Sequence, residues 1–349
     1  MPGVFTSRLN PQHLQPAYDL LQETVSSEEL PTALLAVADG REMIRCEAYG
    51  PAGRMNSDGI YLIASVTKPI VATAVMQLVE QGRLLIEDPV VRYVPEFAAN
   101  GKEGVKVWHL LTHTSGMADD HWSHRDRVPT ADDELRGSIG TYLRFPPGSR
   151  FEYCNVSFTI LGEIIRRVSG LPHQDYLRER VFGPVGMVDT SFAPDPSKRH
   201  RILPVQDFPP IPGGLEAFLA LALPAGGLLS TAEDLVAFGQ AYLNGGVGRF
   251  GRMLGPAAIR TMTSLHTAGI LEHKGGEATP ACWGLGWEKA VPREGRLLSP
   301  SGYGHGGMTG AYLWIEPEAD LVIVFLTNRA NTDGRARKRI LNAVMAALE

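Results

Sequence analysis

Apolar and polar positions along this chain change period several times, and each change predicts an element. Residues 11 to about 22 read as a first helix. Residues 33–38 form an apolar strand, Asp39-Gly40 is a hairpin turn signal, and residues 42–48 return as the partner strand. After Lys68, apolar residues fall at Ile70, Val71, Ala74, Val75, Leu78 and Val79, the spacing of an amphipathic helix with one face buried. That helix opens at Ser65, tolerates Pro69 in its first turn and stops at Gly82. From about 89 to 280 the pattern is helices and long loops. Pro146-Pro147-Gly148 marks a turn, and Phe158, Leu161, Ile164, Ile165 and Val168 define a helix ended by Ser169-Gly170. Another helix starts at Ser230-Thr231, with Ser230 and Glu233 as a capping box, and carries Leu235, Phe238 and Leu243 to a stop at Gly245-Gly246. Strands then return at 283–289, 311–315 and 321–327. The last is a continuous apolar run, predicted to be buried on both faces, and residues 316–320 turn into it. A final helix holds Ile340, Val344 and Leu348 at i,i+4 spacing.

Strands at both ends and helices between predict an α+β fold. Residues 1–88 and 281–349 would build a sheet domain flanked by the N- and C-terminal helices, and residues 89–280 an inserted, mainly helical domain. A chain of 349 residues that is 44% hydrophobic can bury a sizeable core in that arrangement. The cleft between the two parts is where a ligand site is expected, with Ser65 on one side, Tyr153 on the other and His305 on a sheet edge.

Three short motifs give that cleft its chemistry. In Ser65-Val66-Thr67-Lys68, one helical turn puts the serine and lysine side chains on the same face. A serine hydroxyl is a poor nucleophile until a neighbour takes its proton, and a lysine can do so once burial lowers its pKa towards neutrality. The helix N-terminus favours negative charge developing beside Ser65. Tyr153-Cys154-Asn155 sits on a loop just before a helix, so the tyrosine can hold or pass a proton and the asparagine can orient the lysine and meet a substrate amide. Gly304-His305-Gly306-Gly307-Met308 precedes a strand. Its glycines let a substrate lie against the backbone, a backbone N–H here can join that of Ser65 as an oxyanion hole, and His305 can donate to a substrate carbonyl or carboxylate.

In this order and spacing the motifs resemble the serine β-lactamase and penicillin-binding-protein superfamily. The likeness is to the class C-like branch, which also holds D,D-carboxypeptidases, D-aminopeptidases and family VIII carboxylesterases. It extends to the 107–116 stretch ending His113-Thr114-Ser115-Gly116, to Gly226-Gly227-Leu228-Leu229-Ser230-Thr231 and to Leu326-Thr327-Asn328-Arg329, so it covers nearly the whole chain. The resemblance implies an antiparallel sheet with an inserted helical domain. It implies Ser65 as the acylated nucleophile, Lys68 as its base coupled to Tyr153, and Asn155 as the group positioning Lys68 and substrate. His305, Gly306 and Gly307 would contact substrate, and the N–H groups of Ser65 and Met308 would bind the oxyanion. Many β-lactamases and peptidases carry Lys-Thr-Gly as the third motif, where this chain has His305-Gly306-Gly307. A histidine weakens the fixed positive charge that would hold a substrate carboxylate. The expected activity is therefore a carboxylesterase acting on short-chain esters. A β-lactamase or D-amino-acid peptidase with the same machinery, and a non-catalytic scaffold of the same fold, are the alternatives.

The remaining features narrow the classes. With 33 basic against 38 acidic side chains, net charge −5 and no long basic run, the expected partner is a small ester or amide rather than nucleic acid. No segment reaches ~18 apolar residues, so no membrane span is expected. The N-terminus lacks an apolar signal region, which places the chain in the cytoplasm, or in the periplasm or medium if a leader has been trimmed. Cys46, Cys154 and Cys282 form no disulfide framework, and Cys154 reads as a small filler. His109 and His113 are four apart, with Asp119, Asp120, His121 and His124 near, but the glutamate of a zinc motif is replaced by Leu110. They read as capping or packing histidines, with no metal and no cofactor expected. Trp122 and His124 suit a loop over the cleft, Tyr303 the acyl pocket, and Trp283 and Trp287 sheet-face packing. Physiological substrate and oligomeric state are not encoded in these patterns.

Overall fold

A computed structural model describes residues 9–120, 128–193, 195–290 and 295–349. Strands β1 (Ala33–Asp39), β2 (Met43–Gly50) and β3 (Gly53–Met55) come from the N-terminal part, followed by the short β4 (Tyr61–Leu62). From the middle come β5 (Leu229–Ser230) and the hairpin β6 (Leu271–Lys274) and β7 (Glu277–Pro280). The C-terminal part supplies β8 (Glu288–Lys289), β9 (Tyr303–Gly306), β10 (Tyr312–Glu316) and β11 (Leu321–Leu326). The main sheet has seven strands in the order β3-β2-β1-β11-β10-β9-β8, paired antiparallel throughout. Its centre joins the two ends of the chain, β1 against β11 from Leu34↔Leu326 to Asp39↔Leu321.

Period-two alternation sorts the strand residues between two cores. Leu35 and Val37 of β1, Ile323 and Phe325 of β11, and Tyr312 and Trp314 of β10 pack with Tyr18 and Leu21 of helix Gln15–Ser26 and with Ile340 and Val344 of helix Arg335–Met345. The intervening residues, Leu34, Ala36, Val322, Val324, Leu313 and Ile315, face the other way into a larger core. That core contains Ile70, Val71, Ala74 and Val75 of helix Thr67–Glu80 and Phe158, Leu161 and Ile165 of helix Val156–Ser169. Tyr303 belongs to the same side, so His305, two residues on, also faces the helices. Both faces of β11 are buried, as its unbroken apolar run predicts.

Several elements differ from the sequence pattern. The Thr67–Glu80 helix is buried at every position from Thr67 to Leu78, because it runs between the sheet and the helical segment instead of lying on a surface. The capping box expected at Ser230 is replaced by a simple N-cap one residue later. Thr231 caps helix Ala232–Leu243 by accepting from the Asp234 N–H at 3.2 Å, while Ser230 shares a hydroxyl contact with Thr190 at 2.7 Å. The first helix is a 3₁₀ turn, Pro11–Leu14, continued by Gln15–Ser26. The strand expected over 283–289 shrinks to β8. Gly286 has φ +77, and a Cβ there would sit 2.5 Å from the Cβ of Ala72, so this stretch curls onto the Thr67–Glu80 helix. Leu348 lies beyond the last helix and bridges to Leu9. Among the described residues no helix is long and apolar enough to cross a membrane.

Candidate active site

Ser65 sits in a 3₁₀ turn, Ala64–Val66, that runs directly into helix Thr67–Glu80. The residue before it, Ala64, has φ +46, a left-handed conformation that costs a side-chain-bearing residue on the order of 1 kcal/mol or more. Neighbouring segments hold it there. The Ile63 N–H donates to the Leu228 carbonyl at 3.0 Å, and the Thr309 hydroxyl donates to the Leu62 carbonyl at 2.6 Å. Gly307 presses from the other side, where a Cβ would stand 2.4 Å from the Ile63 oxygen. The third motif therefore abuts the nucleophile turn because it has no side chain at that point.

Lys68 is fully buried. Its Nζ lies 3.1 Å from Ser65 Oγ and donates to Asn155 Oδ1 at 2.8 Å and to the Ala225 carbonyl at 2.6 Å. Burial lowers its pKa to about 7, against the opposing pull of the Asp119 carboxylate and Cys154. A neutral amine has two hydrogens. With both engaged by Asn155 and Ala225, its lone pair is left for the Ser65 hydroxyl.

Asn155 is itself fixed. Its backbone N–H and its Nδ2 donate to Asp119 Oδ2 at 2.8 and 2.9 Å, and the Val156 N–H donates to Asp119 Oδ1 at 3.3 Å. Asp119 so stands at the N-terminus of helix Val156–Ser169, where orphan N–H groups favour a carboxylate. Tyr153 shares a hydrogen bond with the Ser65 side chain, and Lys68 Nζ lies 4.8 Å from its ring centre. Burial holds the phenol well above its ordinary pKa, so it keeps its proton at neutral pH.

On the sheet side, the Gly307 N–H donates to the Ala311 carbonyl at 2.7 Å and cannot also serve an oxyanion. Met308 N–H is the next donor along the loop, and its peptide is anchored by the Gly310 N–H donating to the Gly307 carbonyl at 3.0 Å, with the following peptide held by the Asn331 N–H donating to the Met308 carbonyl at 2.8 Å. His305 departs from expectation. Its Nδ1 lies 2.8 Å from the Gly306 carbonyl, a pure acceptor, so the proton is on Nδ1 and Nε2 carries a lone pair. Burial, helped by the nearby Lys68 charge, pulls its pKa down to about 3. His305 is thus a neutral imidazole with no free N–H, not the donor the sequence suggested, because its one N–H donates to the strand-end Gly306 carbonyl.

Ser65, Lys68, Tyr153, Asn155, His305, Gly306, Gly307 and Met308 all fall in this one region. Sequence reasoning missed Asp119 and the Ala225 carbonyl. Gly226-Gly227, beside Ala225, entered that reading only as part of the stretch that resembles the superfamily. Cys154 is buried with its thiol pushed up to about 12, which leaves it inert. His109 Nδ1 accepts from the Lys106 N–H at 3.0 Å in a capping role. Among the described residues no cluster of three or more histidine, cysteine or carboxylate side chains could hold a metal. His121, Trp122 and His124 lie outside the described residues. Tyr303 is buried against Trp287 at 5.1 Å, away from the cleft. Trp287 packs in the core as expected. Trp283 instead stands half-buried beside Tyr153 and His305, with ring centres 5.9 and 5.4 Å away.

The sequence profile of the Beta-lactamase family matches residues 18–347. The chain belongs to the β-lactamase family. With this family and an esterase among its relatives, it is a serine hydrolase. Its relatives within the family carry different names. Penicillin-binding protein 4 of Amycolatopsis lactamdurans is 30% identical, over 90% of this chain and 84% of that protein. Esterase EstB of Burkholderia gladioli is also 30% identical, over 89% of each. A solved family VIII carboxylesterase superposes with a TM-score of 0.80 at 22% identity, covering 96% of this chain and 98% of that one. A penicillin-binding-protein homologue from Caulobacter crescentus gives 0.82 at 22% identity, covering 97% and 99%. At such identities these two likenesses speak for the β-lactamase fold alone.

Proposed function

We propose that this protein is a carboxylesterase that forms an acyl-enzyme on Ser65 with short-chain esters. The observation that carries the reading is Lys68: buried, with a pKa near 7 and its two amine hydrogens engaged away from Ser65. In the proposed cycle Ser65 Oγ bonds to the ester carbonyl carbon while its proton passes to Lys68. The oxyanion takes hydrogen bonds from the Ser65 and Met308 N–H groups. The carbon–alkoxide bond then breaks and the alcohol leaves with a proton from Tyr153, which Lys68 replaces. Water, deprotonated by the same pair, releases the acid and restores Ser65.

The preference for esters over β-lactams and D-amino-acid peptides rests on His305. Those substrates present a carboxylate, and a buried, neutral imidazole whose Nδ1 hydrogen is held by the Gly306 carbonyl offers it neither charge nor donor. The esterase relative supports the same choice, and the penicillin-binding relative marks the alternative. The test is turnover of p-nitrophenyl butyrate against a chromogenic cephalosporin. We expect kcat/KM for the ester to exceed that for the cephalosporin by at least about 100-fold, the size of a lost charge-assisted contact. Comparable values would give the lactam reading precedence.

A further inference from the structure

We propose that His113 is the positioning residue for Tyr153. The inference rests on the reading of Tyr153 as the proton donor to the leaving alcohol. It starts from an anomaly in the backbone. His113 is fully buried and has φ +57, a conformation histidine adopts at a cost. The turn around it is pinned from outside: the Thr114 N–H donates to the His109 carbonyl at 3.0 Å and the Gly148 N–H to the Thr114 carbonyl at 2.8 Å.

That conformation lets one residue grip the second motif on both sides of the tyrosine. The Glu152 N–H donates to the His113 carbonyl at 3.0 Å, and the Cys154 N–H donates to His113 Nδ1 at 3.0 Å. Between these two bonds the Tyr153 ring stacks on the imidazole, centres 4.3 Å apart and planes 25° from parallel. Phe151, Phe158 and Trp283 close around the imidazole at 5.9, 5.4 and 4.9 Å. The tyrosine's backbone is therefore set by two hydrogen bonds and its ring plane by a third contact, all from His113.

The chemistry of the ring suits the task. Accepting at Nδ1 leaves the hydrogen on Nε2, and that buried atom has no hydrogen-bond partner. Burial, with a smaller push from the neighbouring Lys68, holds the imidazole neutral, so it can stand beside Lys68 without repelling it. An aliphatic residue would lack the acceptor, and a phenylalanine would leave the Cys154 N–H unsatisfied.

Leaving-group dependence separates this role from general support of the fold. p-Nitrophenolate leaves unaided, whereas an alkoxide needs the proton from Tyr153. His113→Asn tolerates the left-handed backbone and keeps an acceptor, but lacks the ring face. With active sites counted by a fluorophosphonate, His113→Asn should lose roughly 10- to 100-fold more rate on ethyl butyrate than on p-nitrophenyl butyrate. Tyr153→Phe should show the same skew. An equal loss on both esters, or none, beside a skewed Tyr153→Phe overturns the role of His113 and leaves the reading of Tyr153 standing. An unskewed Tyr153→Phe overturns both. If His113→Asn does not fold, the wild-type imidazole ¹⁵N spectrum decides: the Nε2–H tautomer is expected at His113, and the Nδ1–H tautomer there contradicts the clamp.

Discussion

Lys68→Met loses on the order of 10⁴-fold in kcat/KM for p-nitrophenyl butyrate, with the fold intact. The expectation follows from what methionine keeps and what it removes. It fills the same buried channel between helices Thr67–Glu80 and Val156–Ser169, so packing survives. It removes the one nitrogen that touches Ser65 Oγ, Asn155 Oδ1 and the Ala225 carbonyl together. Without that nitrogen the Ser65 proton has no base within reach, because Tyr153 holds its own proton and His305 is not among the hydrogen-bond partners of Ser65. Lys68→Arg should fail as badly, since a guanidinium keeps its charge at any working pH. The check is a steady-state assay with circular dichroism to confirm folding. A folded Lys68→Met enzyme with more than a tenth of the wild-type rate would show that another group takes the proton.

The same lysine sets the second large effect, a pH profile. Only the neutral amine can accept the serine proton. With a pKa near 7, the active fraction falls tenfold per unit below pH 7 and saturates above it. Between pH 8 and pH 5, kcat/KM should therefore drop about 100-fold along a limb with a midpoint near 7. Two titratable neighbours of Lys68 do not interfere. His305 titrates near 3, and Tyr153 lies well above its ordinary value, so neither adds a limb in that window. A flat profile from pH 5 to 8, or a limb that falls with rising pH, would contradict Lys68 as the base.

The residues that gather at the candidate site were more legible in the sequence than their supports were. Ser65 and Lys68 are one helical turn apart, so local geometry alone brings them together. Tyr153 with Asn155, and His305 with Gly307, are short motifs whose residue types advertise polar work in a glycine- or turn-rich setting. The strands at the two ends of the chain were legible as apolar runs, the unbroken run of β11 above all, while their order in the sheet was not. What escaped were contacts between segments with no local signature. Asp119 reaches Asn155 across 36 positions, and the Ala225 carbonyl reaches Lys68 across 157. A main-chain oxygen leaves no trace in residue identity, and an aspartate in a loop looks like any other. The reading of His305 as a donor failed for a related reason: the partner that fixes its tautomer is the carbonyl of Gly306, again a backbone atom. The misplaced cap at Ser230 shows the same limit. Ser230 and Thr231 are equivalent as hydroxyls, and the choice fell to Thr231 because Thr190 engages Ser230.

The central claim is covalent: the substrate's acyl group resides on Ser65 between the two half-reactions. A fluorophosphonate reacted with wild type and with Ser65→Ala, followed by peptide mass spectrometry and by p-nitrophenyl butyrate turnover, tests it most directly. The account predicts a single adduct on the peptide containing Ser65, and no adduct with turnover lowered by at least about 10³-fold in Ser65→Ala. An adduct on another residue, or a Ser65→Ala protein that keeps most of its turnover, would contradict it.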